Sequence, residues 1–199
     1  MTSIRNIEDA PSTRERLLDA ARESILSVGW KRTTLTDVAR RAGVSRMTVY
    51  RAYPDMASLF GDLMTREWAV VGAGVVAVDD VESDWPERIA RRMVGMVKGL
   101  RTNELFHRIV DVDPELLLPY LLDRRGRSQQ AVLDLLTTRI DEAQREGGVR
   151  AGDPERLARS LVLTAHGFVL SHQTMTDDRV TEADLDAELA ETVRRYLTP

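Results

Sequence analysis

Apolar side chains recur along this chain at helical spacing almost throughout. From Thr13 the positions Leu17, Ala21, Ile25 and Val28 fall at steps of four, four and three, one face of a helix. Asp9 to Thr13 supplies turn and capping residues before it, and Gly29 follows as a residue suited to end it. Leu35, Val38, Ala39 and Ala42 repeat the i, i+3, i+4, i+7 pattern over a much shorter run that Gly43 stops. Ser45 is a good N-cap for a third helix, in which Val49 turns inward with Val44 just before it. After Pro54, Asp55 caps a fourth helix carrying Leu59, Phe60, Leu63, Met64 and Trp68 on one face, with Gly72 and Gly74 softening its far end. Ser83 or Asp84, followed by Pro86, opens a fifth whose face is Ile89, Met93, Met96, Val97 and Leu100. Glu104 to Val110 forms a short helix, Asp113-Pro114 a capped start, and Glu115 to Leu122 another apolar segment. The basic run Arg124-Arg125-Gly126-Arg127 reads as a solvated loop between helices. A long helix from Ser128 carries Val132, Leu136, Ile140 and Ala143 and ends at Gly147-Gly148. Asp153-Pro154 opens the next, in which Leu157, Leu161, Ala165 and Phe168 form one stripe and Ala158, Val162 and Val169 another. The last helix, from about Glu182, shows Leu185, Leu189, Val193 and Tyr196 or Leu197. No alternating strand pattern and no internal repeat interrupts this, so the fold class is all-α.

Length and composition narrow the class further. At 199 residues the chain can bury a core without staples, and with no cysteine it has neither disulfide nor thiolate metal site. Trp68 to Val78 is the longest nearly apolar run and is too short to span a bilayer, and residues 1–10 lack the apolar stretch of a signal peptide. A cytoplasmic protein is expected. The net charge of −4 speaks against nucleic acid when taken whole. Its distribution reverses that: residues 1–60 hold ten basic and seven acidic side chains, leaving the acidic excess to the remainder. A basic head on an acidic body suits a protein that presents one end to DNA.

The stretch 34–53 then supplies the chemistry. Two short amphipathic helices meet at Gly43, and the outer face of the second carries Arg46, Met47, Thr48, Tyr50 and Arg51: phosphate-binding cations, hydroxyls, and an apolar contact for a thymine methyl. The Ala-Gly-Val-Ser turn, the Thr-Val-Tyr-Arg helix and the Tyr53-Pro54 exit together resemble the DNA-binding domain of the TetR family of bacterial repressors. The resemblance covers about residues 13–72 by motif. It implies a recognition helix over 45–52, with base-edge contacts at Arg46, Met47 and Thr48, phosphate contacts at Thr34 and Tyr50, and a base contact at Thr36 from the preceding helix. Ser45 and Tyr53 complete the implied DNA-binding set. Two positions depart from the family pattern: Ala52 stands where a histidine is common, and Met56 where a lysine usually pairs with a phosphate.

By the same resemblance the chain divides into an arm at 1–12, a DNA-binding domain at 13–72 with its helix-turn-helix at 34–53, and a helical ligand-binding and dimerisation domain at 73–199. The double stripe over Leu157, Leu161, Val162, Ala165, Phe168 and Val169 is wide for a monomer surface. With Leu185, Leu189 and Val193 it is expected to form a homodimer through a four-helix bundle. A small, largely apolar effector is expected inside the second domain. Its lining is drawn from Trp68, Met93, Met96, Val97 and Leu100, then Phe106, His107 and Val110, and finally Tyr120, Leu136 and His166, a mix of methionines, aromatics and a few polar groups. Ligand would swing the fourth helices so that the reading helices no longer match a near-palindromic operator. His107, His166 and His172 show no compact metal-ligand spacing, and there is no phosphate loop, nucleophile elbow or catalytic cysteine. No enzyme activity, cofactor or metal is expected. Two other readings compete: a helix-turn-helix DNA binder without an effector, and a helical enzyme whose head only resembles a DNA reader.

Overall fold

The computed structural model describes residues 11–76 and 83–199; positions 1–10, most of the expected arm, lie outside them. The described residues are all-helical, with no strand among them. Helix α1 (Thr13–Val28) starts at a capping box: Ser12 Oγ accepts the Glu15 N–H at 3.2 Å, and the Glu15 carboxylate accepts the Ser12 N–H at 2.7 Å. Gly29, at φ 83°, ends it as the pattern predicts. A 3-10 turn over Trp30–Arg32, not anticipated, then sets the Trp30 ring 4.8 Å from that of Phe60. Helices α2 (Leu35–Arg41) and α3 (Arg46–Ala52) follow.

Helix α4 (Met56–Val76) opens on Asp55, whose carboxylate accepts the Ser58 N–H at 2.7 Å, and it runs unbroken through Gly72 and Gly74. The expected domain boundary at 72–73 therefore falls inside one continuous helix. Helix α5 (Trp85–Thr102) is capped by Asp84, with Pro86 in its first turn. Its Gly95 and Gly99 lie under Val75 and Val71 of α4; a Cβ on Gly95 would stand 3.0 Å from Val75, so the two helices pack almost backbone to side chain. Helix α6 (Glu104–Val112) is two residues longer at its end than its pattern suggested.

The Asp113 side chain caps no helix, contrary to expectation. Its carboxylate accepts the backbone N–H of Trp30 at 2.8 Å, and the segment after it is a 3-10 turn (Pro114–Leu116) and one short helix, α7 (Leu118–Leu122). Helices α8 (Arg127–Arg145) and α9 (Pro154–Leu170), the brief α10 (His172–Met175) and α11 (Glu182–Leu197) complete the chain.

Two apolar cores result. The head core joins Leu17, Ile25, Val38, Val49, Leu59 and Leu63 from α1–α4, while the body core joins Ile89, Val97, Ile140, Leu157, Leu161 and Leu189 from α5, α8, α9 and α11. Helix α6 serves both: Leu105 and Ile109 are buried in the head core and Phe106 in the body core. Trp68 of α4 touches both cores, its ring edge-on to Phe106 at 5.6 Å. Each fully buried aliphatic side chain contributes on the order of 1.5–3 kcal/mol, so head and body are fastened by the same helices that build them.

Candidate nucleic-acid interface

The turn between α2 and α3 is held from three directions. Thr34 caps α2: its hydroxyl accepts the Asp37 N–H at 3.2 Å and donates to the Asp37 carboxylate at 2.6 Å. That hydroxyl first, and Arg40 second, hold the Asp37 carboxyl below its usual range, so it stays ionised at the positive end of the helix. Gly43 takes φ 64°, and the Val44 N–H reaches back to the Ala39 carbonyl at 3.0 Å. From α1, Arg16 donates to the carbonyls of Ala42 at 2.5 Å and Gly43 at 3.3 Å. A cation satisfying carbonyls at the negative end of α2 locks the turn angle, and sequence periodicity gave no sign of it because the partners lie on another helix. Ser45 then caps α3 by accepting the Thr48 N–H at 3.1 Å, and the Ser45 and Thr48 hydroxyls hydrogen-bond at 2.8 Å.

Helix α3 is thereby fixed with Val49 at 0% exposure and Met47 at 80%. Arg46, Tyr50, Arg51 and Ala52 are exposed with Met47, while Thr48 is half-buried. On α2, Thr34 is exposed and Thr36 half-buried. Neither Arg46 nor Arg51 has an ion-pair partner among the described residues, so both guanidiniums stand free at the outer face.

Tyr53 is different. It is 3% exposed and belongs to the head core, which removes it from the DNA-facing set: four residues beyond Val49, it lies on the same inward face. Its hydroxyl has no hydrogen-bond partner, and Arg14 lies 5.9 Å over its ring. Burial, with the Asp62 carboxylate adding to it, pushes the phenol up to about 12. Met56, at the position where the family pattern has a lysine, packs half-buried against the head core.

Polar bonds tie the head to the body. Asp62 of α4 pairs with Arg14 of α1 and, at 2.5 Å, with Arg127 at the start of α8. Arg22 of α1 meets Glu67 of α4 at 3.5 Å and Glu104 of α6 at 3.1 Å, and Asn103 donates to Glu67 at 3.1 Å. Lys31 pairs with Glu115 at 2.6 Å beside the Trp30–Asp113 bond.

The residues expected to line an effector pocket fall into two groups. Met93, Val97 and Phe106 are buried in the body core, with Leu100, Val110 and Leu136 half-buried against it. Met96, His107 and His166 are also half-buried, and burial lowers the His166 pKa. Trp68 and Tyr120 instead face a groove of about 450 Å³ between α4 and the α7–α8 connection. Of the residues expected at a dimer interface, Leu157, Leu161, Val169, Leu189 and Val193 are buried within their own chain, against α5, α8 and each other. The breadth of the α9 stripe is consumed internally, which corrects the ground on which a partner surface was read from it. Val162, Ala165, Phe168 and Leu185 remain half-buried, and Leu163, not singled out by pattern, is 70% exposed on the outer side of α9. Among the described residues no three histidines or carboxylates gather where a metal ion could be held, and no helix is long and apolar enough to cross a membrane.

Comparison with known proteins agrees with the geometry of the turn. Residues 17–63 match the model of bacterial regulatory proteins of the tetR family. An HTH-type transcriptional regulator of Mycobacterium bovis is 35% identical over 197 residues, 99% of this chain and 100% of that protein. Among solved structures, the transcriptional repressor QsdR of R. erythropolis, from the TetR family, superposes with a TM-score of 0.69 at 14% identity, over 93% of this chain and 94% of its own. A complex of SmeT with triclosan superposes with a TM-score of 0.61 at 24% identity, over 95% and 93%. With a capped, arginine-locked helix-turn-helix inside the matched segment and a relative aligned end to end, this chain belongs to the TetR family of transcriptional regulators, DNA-binding proteins and not enzymes.

Proposed function

We propose that the protein is a homodimeric repressor that binds a near-palindromic operator and is released by a small, largely apolar effector. The observation that carries the DNA-binding half is the outer face of α3, where Arg46, Met47, Tyr50 and Arg51 project into solvent from a helix anchored by a fully buried valine. In this reading residues 13–72 form the DNA-binding unit and 73–199 the effector and dimer unit. Arg46, Met47 and Thr48 read base edges from the major groove, Thr36 adds a contact from α2, and Thr34, Tyr50 and Arg51 hold phosphates. Ser45 acts through its cap. The outer side of α9, with exposed Leu163 at its centre, joins α11 to make the dimer bundle.

The test is fluorescence anisotropy on the DNA upstream of the gene at several salt concentrations. Alanine at Tyr50 is expected to weaken all sites about equally, whereas alanine at Arg46 costs roughly 1–3 kcal/mol and relaxes preference at one base position. Wild-type binding by the combined Thr34, Tyr50 and Arg51 alanine variant at moderate salt would remove this face from the interface. A regulator without an effector is the second reading, favoured by the close packing of Met93, Val97 and Phe106 in the body core. Thermal-shift screening of metabolites and drugs, followed by operator binding with each hit, separates the two.

A further inference from the structure

The basic run Arg124-Arg125-Gly126-Arg127 is not a loose loop. Gln129 accepts the Gly126 N–H at 2.8 Å and donates to the Tyr120 carbonyl at 3.1 Å, pinning the connection from both sides. Gly126 lies against the Tyr120 ring, where a Cβ would stand 3.2 Å away, and the Arg124 guanidinium lies 5.4 Å over the same ring. The connection lines one side of the 450 Å³ groove, and α4 lines it with half-buried Trp68 and with the exposed edges of Phe60 and Met64, which are otherwise buried in the head core. That volume suits a small organic molecule.

The charge of the groove is uneven. Arg127 is claimed by Asp62 at 2.5 Å, and Asp55, which also lines the groove, is occupied in capping α4, its pKa lowered by Ser58. Arg125 hydrogen-bonds only the neutral Gln130, at 3.0 Å, and neither Arg124 nor Arg125 has a carboxylate partner among the described residues. Two guanidiniums without a carboxylate partner, in a groove also lined by Trp68, Tyr120 and the edges of Phe60 and Met64, complement a molecule with an anionic head and a flat apolar body. Guanidinium pairs carboxylate through a bidentate fork, and aromatic faces take a flat ring by stacking.

We propose that this groove is the effector site and that it takes an aromatic carboxylate, its ring against Trp68 and the edges of Phe60 and Met64 and its carboxylate on Arg124 and Arg125. This rests on the effector-responsive reading above for its regulatory consequence and on the groove alone for binding. The α4 residues of the groove lie in that helix's first four turns, which also carry Asp62 and its bond to Arg14 of the DNA-binding head, so an occupant touches the helix that positions α1.

Calorimetric titration of the full-length protein with 2-naphthoate and with its neutral counterpart 2-naphthamide tests the assignment. Naphthoate is expected to bind at least tenfold more tightly than the amide, and an R124Q/R125Q variant to bring naphthoate down to the amide while leaving the amide unchanged. In wild type, naphthoate is expected to shift operator affinity at least fivefold. Equal binding of the two compounds, no saturable binding, or naphthoate binding indifferent to R124Q/R125Q would overturn the site. So would an R124Q/R125Q variant that loses operator affinity in the absence of any compound while keeping naphthoate binding, since the arginines would then serve DNA phosphates. Naphthoate binding that leaves the operator affinity of a DNA-competent wild type unchanged overturns the effector role. A wild type that fails to bind operator at all defeats the regulatory reading instead, and the naphthoate–naphthamide contrast still decides the groove.

Discussion

Val49 and Tyr53 stand one helical turn apart and both point into the head core, so the surface that α3 can offer to DNA is bounded by Arg46, Met47, Tyr50 and Arg51. Tyr53 has the polarity of a DNA contact and the position of a core residue, and position decides. Tyr53→Phe removes a buried hydroxyl that has no partner, so operator affinity is expected to be unchanged and thermal stability equal or higher. The pH dependence gives the sign. The unfolded phenol loses its proton near 10.0 and the folded one only at about 12, so the native state loses stability as pH rises through that window, and Tyr53→Phe removes that share of the alkaline loss. Urea titrations at several alkaline pH values would check this. Met56 tells the complementary story. Its side chain packs half-buried against the head core, so the phosphate anchor common at this position is replaced by packing. Met56→Lys is expected to strengthen operator binding and steepen its salt dependence by about one ion, at the cost of some head stability; anisotropy across a salt series reads both. The two residues show which part of the site was legible. The helix-turn-helix and its exposed cations follow from local spacing, whereas the burial of Tyr53 and Met56 depends on α1 and α4 arriving from elsewhere in the chain.

At the scale of elements, start and stop signals proved the most readable feature. Ser12, Asp84, Asp153 and Gly29 do their work within three or four residues of where they stand, so no tertiary knowledge is needed to place them. Asp113 has the same local credentials before Pro114. Its carboxylate is instead drawn to the Trp30 N–H, a partner 83 residues upstream that no local pattern reveals. Arg16 is the mirror case: an unremarked cation on α1 that closes the C-terminus of α2 across 26 residues. Removing it leaves two carbonyls at the turn without a donor, so Arg16→Ala is expected to lower head stability by about 1 kcal/mol and weaken all operator sites together. Chemical denaturation and anisotropy on the same variant would show both effects; a loss confined to one base position would instead mean that Arg16 touches DNA.

For the molecule as a whole, the all-helical class was legible, because periodicity accumulates over many residues. The assembly was less so. A wide apolar stripe says that a helix is surrounded, but not by whom, and α5, α8 and α11 of the same chain supply most of what surrounds α9. In the dimer proposed above, the surface of α9 left to a partner is centred on exposed Leu163. Leu163→Arg is therefore expected to give monomers by light scattering at micromolar concentration with the helical content intact, and to weaken operator binding by losing the second reading helix. Dimers persisting in this variant would move the interface off α9.

The seating of Val71 and Val75 against Gly95 and Gly99 has a mechanical corollary. With side chains bedded against bare backbone, α4 slides along α5 only by lifting out of both notches, so the easier motion is rotation about them. The notches form a fulcrum near one end of a 21-residue helix. At about 1.5 Å per residue the lever arm back to Met56 is roughly 25 Å, and a tilt of about 5° displaces the head by about 2 Å. In a dimer the two displacements add, and the spacing between reading helices shifts by up to about 4 Å, with α6 and Trp68, which belong to both cores, taking up the shear.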